Sequence, residues 1–191
     1  MAPRSEERNK EIREQSRQQI KDSAFELFAR HGYSDTSVSG IANKAGISKG
    51  LIYHYFNSKE EILHTIFEDL TQLGDRAMDF PEGMSSREQV ERMLNMVFGY
   101  IRESSEVVRL MISLALQPDA VAKLQASIRE YNARQIKLLK PLLSDLGYEN
   151  AETEAYFLAA KLDGLTLGYI TLGDEYPFDN IKQKILNEYA C

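Results

Sequence analysis

The sequence predicts an all-α protein of about nine helices. Apolar residues recur at spacings of three and four along the chain, and no stretch shows the alternation typical of a strand. Serine, threonine or asparagine precedes several of the periodic stretches and glycine follows some, as expected where helices begin and end. The 191 residues, 43% of them hydrophobic, suffice for one large domain or two small ones.

The first three helices are predicted between residues 20 and 56. The first carries apolar residues on one face and ends at Gly32. Thr36 or Ser37 is predicted to cap helix 2, and Ser48 to cap helix 3, through a side-chain oxygen. Gly46 falls where the turn between these two short helices requires a left-handed residue, which glycine adopts at little cost.

Six further helices follow, beginning with a long helix 4 that Ser58 is predicted to cap. The predicted ranges of the others are 87–103, 106–117, 119–146, 151–172 and 179–189. Pro141 lies inside the third of these and is expected to kink or break it, because proline removes a backbone donor. Residues 1–14 read as a charged arm that is expected to be partly disordered.

Charge is distributed unevenly along the chain. Residues 1–60 hold 10 Lys/Arg against 8 Asp/Glu, whereas residues 61–191 hold 13 against 21, for a net charge of -6. The amino-terminal part is therefore the part suited to phosphate. The charged first 19 residues differ from a signal peptide, and the lone Cys191 suggests a reducing compartment, so we expect a cytoplasmic protein. No uncharged run reaches the ~18 residues of a membrane span.

Residues 37–60 show the pattern of a helix-turn-helix. In this motif the second helix enters the major groove of DNA, with its amino-terminal residues at the base edges. Lys49 and His54 are the strongest candidates for polar base or phosphate contacts, because lysine donates to guanine acceptors and histidine donates to either group.

The chain resembles the TetR family of bacterial transcriptional regulators over residues 20–33, Thr36, the helix pair, and residues 52–62. The resemblance implies a DNA-binding domain at 1–60, with a flexible amino-terminal arm, and an effector-binding and dimerisation domain at 61–191. It also implies that helix 4 joins the two and that the partner is double-stranded DNA with a palindromic operator. The DNA-contacting residues that follow from motif and resemblance are Thr36, Ser37, Ser39, Ser48, Lys49, Gly50, Leu51, Tyr53, His54 and Lys59. Among them, Leu51 departs from the small or hydroxylated residue common at its position, which suggests contact with a thymine methyl.

Helix 8 carries two apolar stripes, so it needs two packing partners. One is the core of its own chain. The resemblance implies that the other is helices 8 and 9 of a second copy, while burial within a monomer is the alternative. The residues assigned to this homodimer interface are Ala160, Gly164, Gly168, Ile181 and Ile185.

Methionine and aromatic residues concentrate in helices 5 to 8, where the family holds an effector. They suit an adaptable apolar cavity and equally suit an ordinary core. The pocket candidates are Met93, Met96, Tyr100, Met111, Tyr131, Tyr156 and Phe157, and the nearby polar candidates are Arg109, Gln117, Asn132 and Arg134. We expect a small, largely apolar effector of unidentified nature.

An enzyme reading has little support in the sequence. Glu61 and His64 form a single Glu-x-x-His step of the kind used in di-iron bundles, and a second step is missing. Because no nucleotide-binding, nucleophile or zinc pattern is present, we expect no catalytic residue, metal or cofactor. The predicted function is a repressor released from its operator by the effector. Activation, or a DNA-bound role in marking the nucleoid, stays open.

Overall fold

The structure is a computed structural model that describes residues 3–190, apart from the side chains of residues 3–7 and 73. The described part contains no strand, and the all-α prediction is confirmed. Its helices are α1 (Pro3–His31), α2 (Val38–Lys44), α3 (Lys49–Tyr55), α4 (Lys59–Ala77), α5 (Ser86–Glu103), α6 (Ser105–Ala115), α7 (Pro118–Asp145), α8 (Ala151–Leu172) and α9 (Phe178–Tyr189). A 3₁₀ turn, Gly173–Glu175, follows α8. Cys191, on which the redox argument rested, lies outside the described residues.

The chain forms two compact units, and the first is larger than the predicted domain 1–60. Unit 1 comprises Met1–Leu70 and Leu110–Gln125, and unit 2 comprises Thr71–Arg109 and Ala126–Cys191. The first unit extends beyond residue 60 into α4, because Ile62, Leu63 and Ile66 of that helix are buried. Three helices, α4, α6 and α7, run from one unit into the other.

Unit 1 forms because short local signals place two small helices beside α1. Ser37 Oγ accepts a hydrogen bond from Gly40 N at 3.0 Å, and Ser48 Oγ accepts one from Leu51 N at 3.2 Å. Gly46 has a φ of 65°, which is the left-handed turn expected from the sequence. Large side chains fully buried in this unit are Ile20, Phe28, Ile41, Ile52, Phe56, Ile62 and Leu63.

Unit 2 is a helical bundle with its own core. Ser85 and Glu88 form a capping box at the start of α5, and Asn150 caps α8 by accepting a hydrogen bond from Thr153 N at 3.2 Å. Core side chains of this unit are Val90, Leu94, Phe98, Leu143, Leu158, Phe178 and Tyr189.

Two expectations about helix ends are wrong. The charged segment before residue 15 belongs to α1 from Pro3 onward, since its Glu, Arg and Lys residues are good helix formers. Pro141 does not break α7, which continues to Asp145. Pro141 and Lys137 are exposed, so water can hydrogen-bond to the Lys137 carbonyl that loses its helical donor.

Candidate nucleic-acid interface and ligand cavity

The amino-terminal half of α3 presents a polar surface to solvent. Ser48, Lys49 and Gly50 are exposed, and Leu51 is half-buried. Lys49 makes no hydrogen bond or ion pair with any residue that the structure describes. A flexible, unpaired ammonium at the start of this helix is suited to donate to base edges or phosphates.

The rest of the predicted contact set also lies largely at the surface. Tyr53 is 50% exposed, and His54 and Ser39 are exposed. The His54 ring packs edge-on against Tyr55 with centroids 5.2 Å apart. Ser37 is exposed as well, and its hydroxyl accepts a backbone hydrogen bond and so keeps its own proton to donate to a phosphate oxygen.

The structure corrects the assignment of Thr36. Its side chain is buried, at 5% exposure, and Thr36 Oγ1 donates to Gly32 O at 2.7 Å. The hydroxyl proton is therefore used inside the protein, where it closes the turn after α1. Thr36 holds the entry to α2 in place and does not offer its side chain to DNA in this conformation.

Lys59 also differs from its predicted role as a phosphate ligand. Its Nζ donates to the carbonyl oxygens of Tyr33 at 2.6 Å, Ser34 at 3.3 Å and Thr36 at 2.9 Å. An ammonium has three donors, so these carbonyls engage all of them. Nζ also lies 4.3 Å from the centroid of the Tyr33 ring. Desolvation lowers the pKa of Lys59. The side chain thus fastens the 33–36 loop to α4.

This placement predicts that Lys59→Met destabilises the protein without changing the salt dependence of DNA binding. Loss of charge-assisted hydrogen bonds to carbonyls costs about 1.5–3 kcal/mol. Urea unfolding measures the stability, and gel shifts at several salt concentrations measure the salt slope. Lys137→Met, at an exposed lysine of α7, is the control. A stable variant whose salt slope drops by about one phosphate contact would restore the phosphate role.

Within unit 1, a polar cluster joins residues 113–123 to the end of α1, to the loop that precedes α2 and to the start of α4. Gln117 Oε1 accepts from Tyr33 N at 2.8 Å, while Gln117 Nε2 donates to Phe28 O at 2.8 Å. Asp119 accepts hydrogen bonds from the backbone and hydroxyl of Ser34, and the hydroxyl bond lowers the pKa of Asp119. Further links are Ser113 Oγ to Ala29 O at 2.6 Å and Lys123 to Glu60 at 3.0 Å. The sequence had suggested Gln117 as a pocket residue, whereas it anchors the start of α7.

Unit 2 contains a cavity of about 320 Å³ between α5, α7 and α8. Its lining is largely apolar, as expected for a ligand site. The lining residues are Met78, Met93, Asn132, Gln135, Ile136, Leu139, Ala155, Tyr156, Leu158, Ala159, Ala160, Leu162 and Asp163.

Only Met93 and Tyr156 of the predicted pocket residues line this cavity. Met111 belongs to unit 1, and Met96 packs against the core. Phe157 is 53% exposed. The remaining two, Tyr100 and Tyr131, are half-buried elsewhere, and a Cβ at Gly74 would collide with the Tyr131 hydroxyl. Those five residues therefore do not line this cavity.

Most of the cavity lining is absent from the predicted pocket residues, and two of the absent residues are polar. Gln135 and Asp163 are these two, whereas Asn132, one of the predicted polar candidates, does line the cavity. The sequence contained a signal for this lining, because the cavity residues of each helix recur at helical spacing. They are residues 132, 135, 136 and 139 on α7 and residues 156, 159, 160 and 163 on α8. Polar residues within an apolar stripe are typical of ligand sites.

The predicted dimer residues fall into three groups. Gly164 is exposed, and no atom would lie within 4 Å of a Cβ there. Ala160 is exposed and also lines the cavity. Gly168 and Ile185 make contacts within their own chain instead. A Cβ at Gly168 would strike the Tyr176 ring of the same chain, and Ile185 is a core residue at 4% exposure. Ile181 is half-buried against that core.

The exposed side of α8 is nevertheless apolar. Phe157 and Leu167 are each more than half exposed, and Ala160 and Gly164 lie between them at spacings of three and four. Tyr156 and Leu172 are also exposed apolar residues of this helix. A helix that is apolar on its outer side as well as its inner side has surface left for a second partner.

The residues behind the metalloenzyme alternative have other contacts. Glu61 Oε2 accepts hydrogen bonds from Asn57 N at 2.7 Å and from Asn57 Nδ2 at 2.9 Å, so it caps the start of α4. Within residues 3–190 no three His, Cys, Asp or Glu side chains are grouped to hold a metal ion. No helix in the described part is long and apolar enough to cross a membrane.

Comparison with known proteins agrees with the helix-turn-helix geometry. Residues 20–66 match the family model described as bacterial regulatory proteins, tetR family. The HTH-type transcriptional regulator BetI of Escherichia coli strain SE11 is 30% identical over 164 residues, covering 79% of this chain and 80% of BetI. BetI of strain K12 is 29% identical over 186 residues, covering 91% and 90%.

Solved structures show the same fold. The fatty acid degradation regulator FadR from Bacillus halodurans has a TM-score of 0.73 at 24% identity, over 92% of this chain and 94% of FadR. A transcriptional regulator from Saccharomonospora viridis in complex with choline has a TM-score of 0.68 at 22% identity, over 91% and 95% of the two chains. The chain belongs to the TetR family of bacterial regulatory proteins and is a transcriptional regulator with an amino-terminal DNA-binding helix-turn-helix.

Proposed function

We propose that the protein is a homodimeric repressor that binds a palindromic operator and is released by a small organic effector. The observation that carries this proposal is the exposed start of α3, where Lys49 has no partner in the described part of the chain. The cytoplasm is the compartment proposed with this role.

Dimerisation is supported by the exposed apolar side of α8, formed by Phe157, Ala160, Gly164 and Leu167. Self-association of this face gives an isologous interface, in which each copy offers the same patch. Two symmetric recognition helices then read two inverted half-sites, which accounts for the proposed palindrome. The half-sites lie about 34–36 Å apart, or at a multiple of that distance.

The effector site we propose is the cavity of unit 2. Its volume of about 320 Å³ lies near the lower end of the range for small-molecule sites, so the ligand is small. The Saccharomonospora relative, with a bound choline, shows that a protein of this fold takes a small organic ligand. The apolar wall suits an effector whose body is largely apolar.

The repressor proposal is tested by selecting duplexes from a randomised pool with the purified protein. We expect an inverted repeat to be enriched. Lys49→Ala is then expected to lose about 1–3 kcal/mol of discrimination at one base pair of each half-site, provided that Lys49 reads guanine. Gel shifts with the selected duplex and its single-base variants measure this loss.

Lys10→Ala is the matched control, because Lys10 is an exposed lysine on α1 outside the helix-turn-helix. It is expected to leave base discrimination unchanged. Enrichment of no repeat, or unchanged discrimination in Lys49→Ala, would contradict the assignment. In cells, binding at one promoter region supports repression, whereas binding at many dispersed sites favours nucleoid marking.

A further inference from the structure

The cavity of unit 2 has a distinctive charge. Among its lining residues Asp163 carries the only formal charge, and no Lys, Arg or His lines it. The neighbouring cations have other partners: Arg134 lies 3.1 Å from Asp75, and Lys161 lies 2.6 Å from Glu188. A ligand therefore meets one negative charge that these cations do not neutralise.

The Asp163 carboxyl has no hydrogen-bond or ion-pair partner among residues 3–190. It remains accessible to solvent, while partial desolvation raises its pKa. Desolvation disfavours the charged form of a carboxyl, and a nearby cation favours it. A positively charged ligand would thus relieve the unfavourable environment of Asp163, whereas an anion would make it worse.

The wall around this carboxyl also suits a cation with an apolar body. Tyr156 offers an aromatic ring, and such a ring attracts ammonium groups through its negative face. Met78 and Met93 supply polarizable, adaptable surface. Gln135 Nε2 donates to Asp75 Oδ1 at 3.0 Å, which leaves its amide oxygen as an acceptor.

We infer that the cavity binds a small organic monocation, such as a quaternary ammonium compound, through Asp163 and the Tyr156 ring. This inference rests on the proposed role of the cavity as the effector site, and it names the chemical class of the effector. A carboxylate ligand such as a fatty acid is excluded as the preferred class, because its head group would meet Asp163 without a compensating cation.

The test uses calorimetric titration of the full chain with four probes: choline, benzyltrimethylammonium, 3,3-dimethylbutan-1-ol and hexanoate. Choline and 3,3-dimethylbutan-1-ol differ chiefly in that a carbon replaces the charged nitrogen. We expect at least one of the two cations to bind about tenfold or more tightly than the neutral alcohol, because a partly screened ion pair contributes that much. Hexanoate is expected to bind weakest.

Two substitutions identify the groups responsible. Asp163→Asn is expected to reduce cation affinity about tenfold and to leave the alcohol unaffected. Asp174→Asn removes the same charge in the exposed 3₁₀ turn and is expected to have no effect. Tyr156→Leu should weaken cation binding by about threefold or more, while Tyr156→Phe keeps the aromatic face and the affinity.

Both sites are exposed, so the variants are expected to fold, and circular dichroism checks this directly. The inference is overturned if neither cation binds, if the alcohol or hexanoate binds as tightly as the cations, or if Asp163→Asn leaves cation affinity unchanged. Gel shifts with the operator duplex distinguish a failure of the cation inference from a failure of the repressor proposal. Cation binding without operator release contradicts the switch alone, and release by hexanoate contradicts the cation class alone.

Discussion

Gly164→Leu is expected to convert the dimer into monomers and to abolish tight operator binding. A leucine inserted into a close-packed contact costs about 1–3 kcal/mol. The substitution occurs twice in a symmetric interface, so the total is about 2–6 kcal/mol, or roughly 30-fold to 10⁴-fold in the dimer constant. Operator affinity falls with it, because a monomer engages one half-site only.

The structure makes this substitution a clean test of the interface. No atom of the chain would lie within 4 Å of a Cβ at Gly164, so the folded monomer accommodates the new side chain. Replacing an exposed helical glycine also favours the helix by roughly 1 kcal/mol. Any loss must therefore arise outside the monomer. Gly168→Leu would be a poor choice, since its side chain would strike Tyr176 of the same chain.

Gly99→Leu is the matched control, because Gly99 also lies on a helix and has no atom within 4 Å of a Cβ. Light scattering gives the mass of each variant, and gel shifts give the operator affinity. Gly99→Leu should stay dimeric. A Gly164→Leu variant of dimer mass, or a parent protein that is monomeric at micromolar concentration, would show that this face of α8 is not the interface.

The features that the sequence predicted well are determined by residues close together in the sequence. The caps at Ser37 and Ser48 and the left-handed Gly46 follow from local rules that tertiary packing does not alter. The all-helical class followed for the same reason, since the apolar period of a helix is visible within a few turns. Exposure of Lys49 followed from its place in the motif.

The errors at Lys59 and Gln117 concern contacts between residues distant in the sequence. Lys59 and Tyr33 are 26 residues apart, and Gln117 and Tyr33 are 84 apart. No periodicity reveals that a carbonyl cluster will take up the Lys59 ammonium, or that Gln117 will bridge Phe28 and Tyr33. Gly168 illustrates the same limit, because a small residue that accommodates Tyr176 looks like one that accommodates a second subunit.

Gln117→Ala is expected to weaken the coupling between effector and operator while leaving effector affinity of the DNA-free protein unchanged. In the parent protein we expect coupling of about 1–3 kcal/mol, which means that effector loosens DNA by 5–150-fold and DNA loosens effector equally. In the variant this factor should fall toward one. Titrating whichever cation binds, with and without the operator duplex, measures this coupling factor.

The reason lies in the course of α7. Its residues Asn132, Gln135 and Leu139 line the cavity in unit 2, and its first turn belongs to unit 1. Helix α7 begins at Pro118, directly after Gln117, and Asn132 lies 14 residues further, a rise of about 21 Å along the helix. Because a helix is stiff, a shift of α7 that accommodates a ligand reaches Gln117, whose two hydrogen bonds hold the end of α1 and the loop before α2.

The sequence predicts helix 4 as the connection between the domains, and the structure adds α6 and α7 as further continuous paths. Because several helices can carry the coupling, Gln117→Ala is expected to lose only part of the coupling between effector and operator. The variant also leaves Tyr33 N and Phe28 O without their partner, at a stability cost of about 1–3 kcal/mol. Titrations must therefore be run well below the unfolding temperature.

Gln125→Ala provides the comparison, because Gln125 lies on α7 and is exposed. Its coupling factor should equal that of the parent protein. If Gln117→Ala and Gln125→Ala both retain full coupling, then α7 does not transmit the effector signal and α4 or α6 must carry it. If effector affinity of the DNA-free Gln117→Ala variant also drops, the substitution has perturbed the cavity itself, and the transmission model fails for that reason.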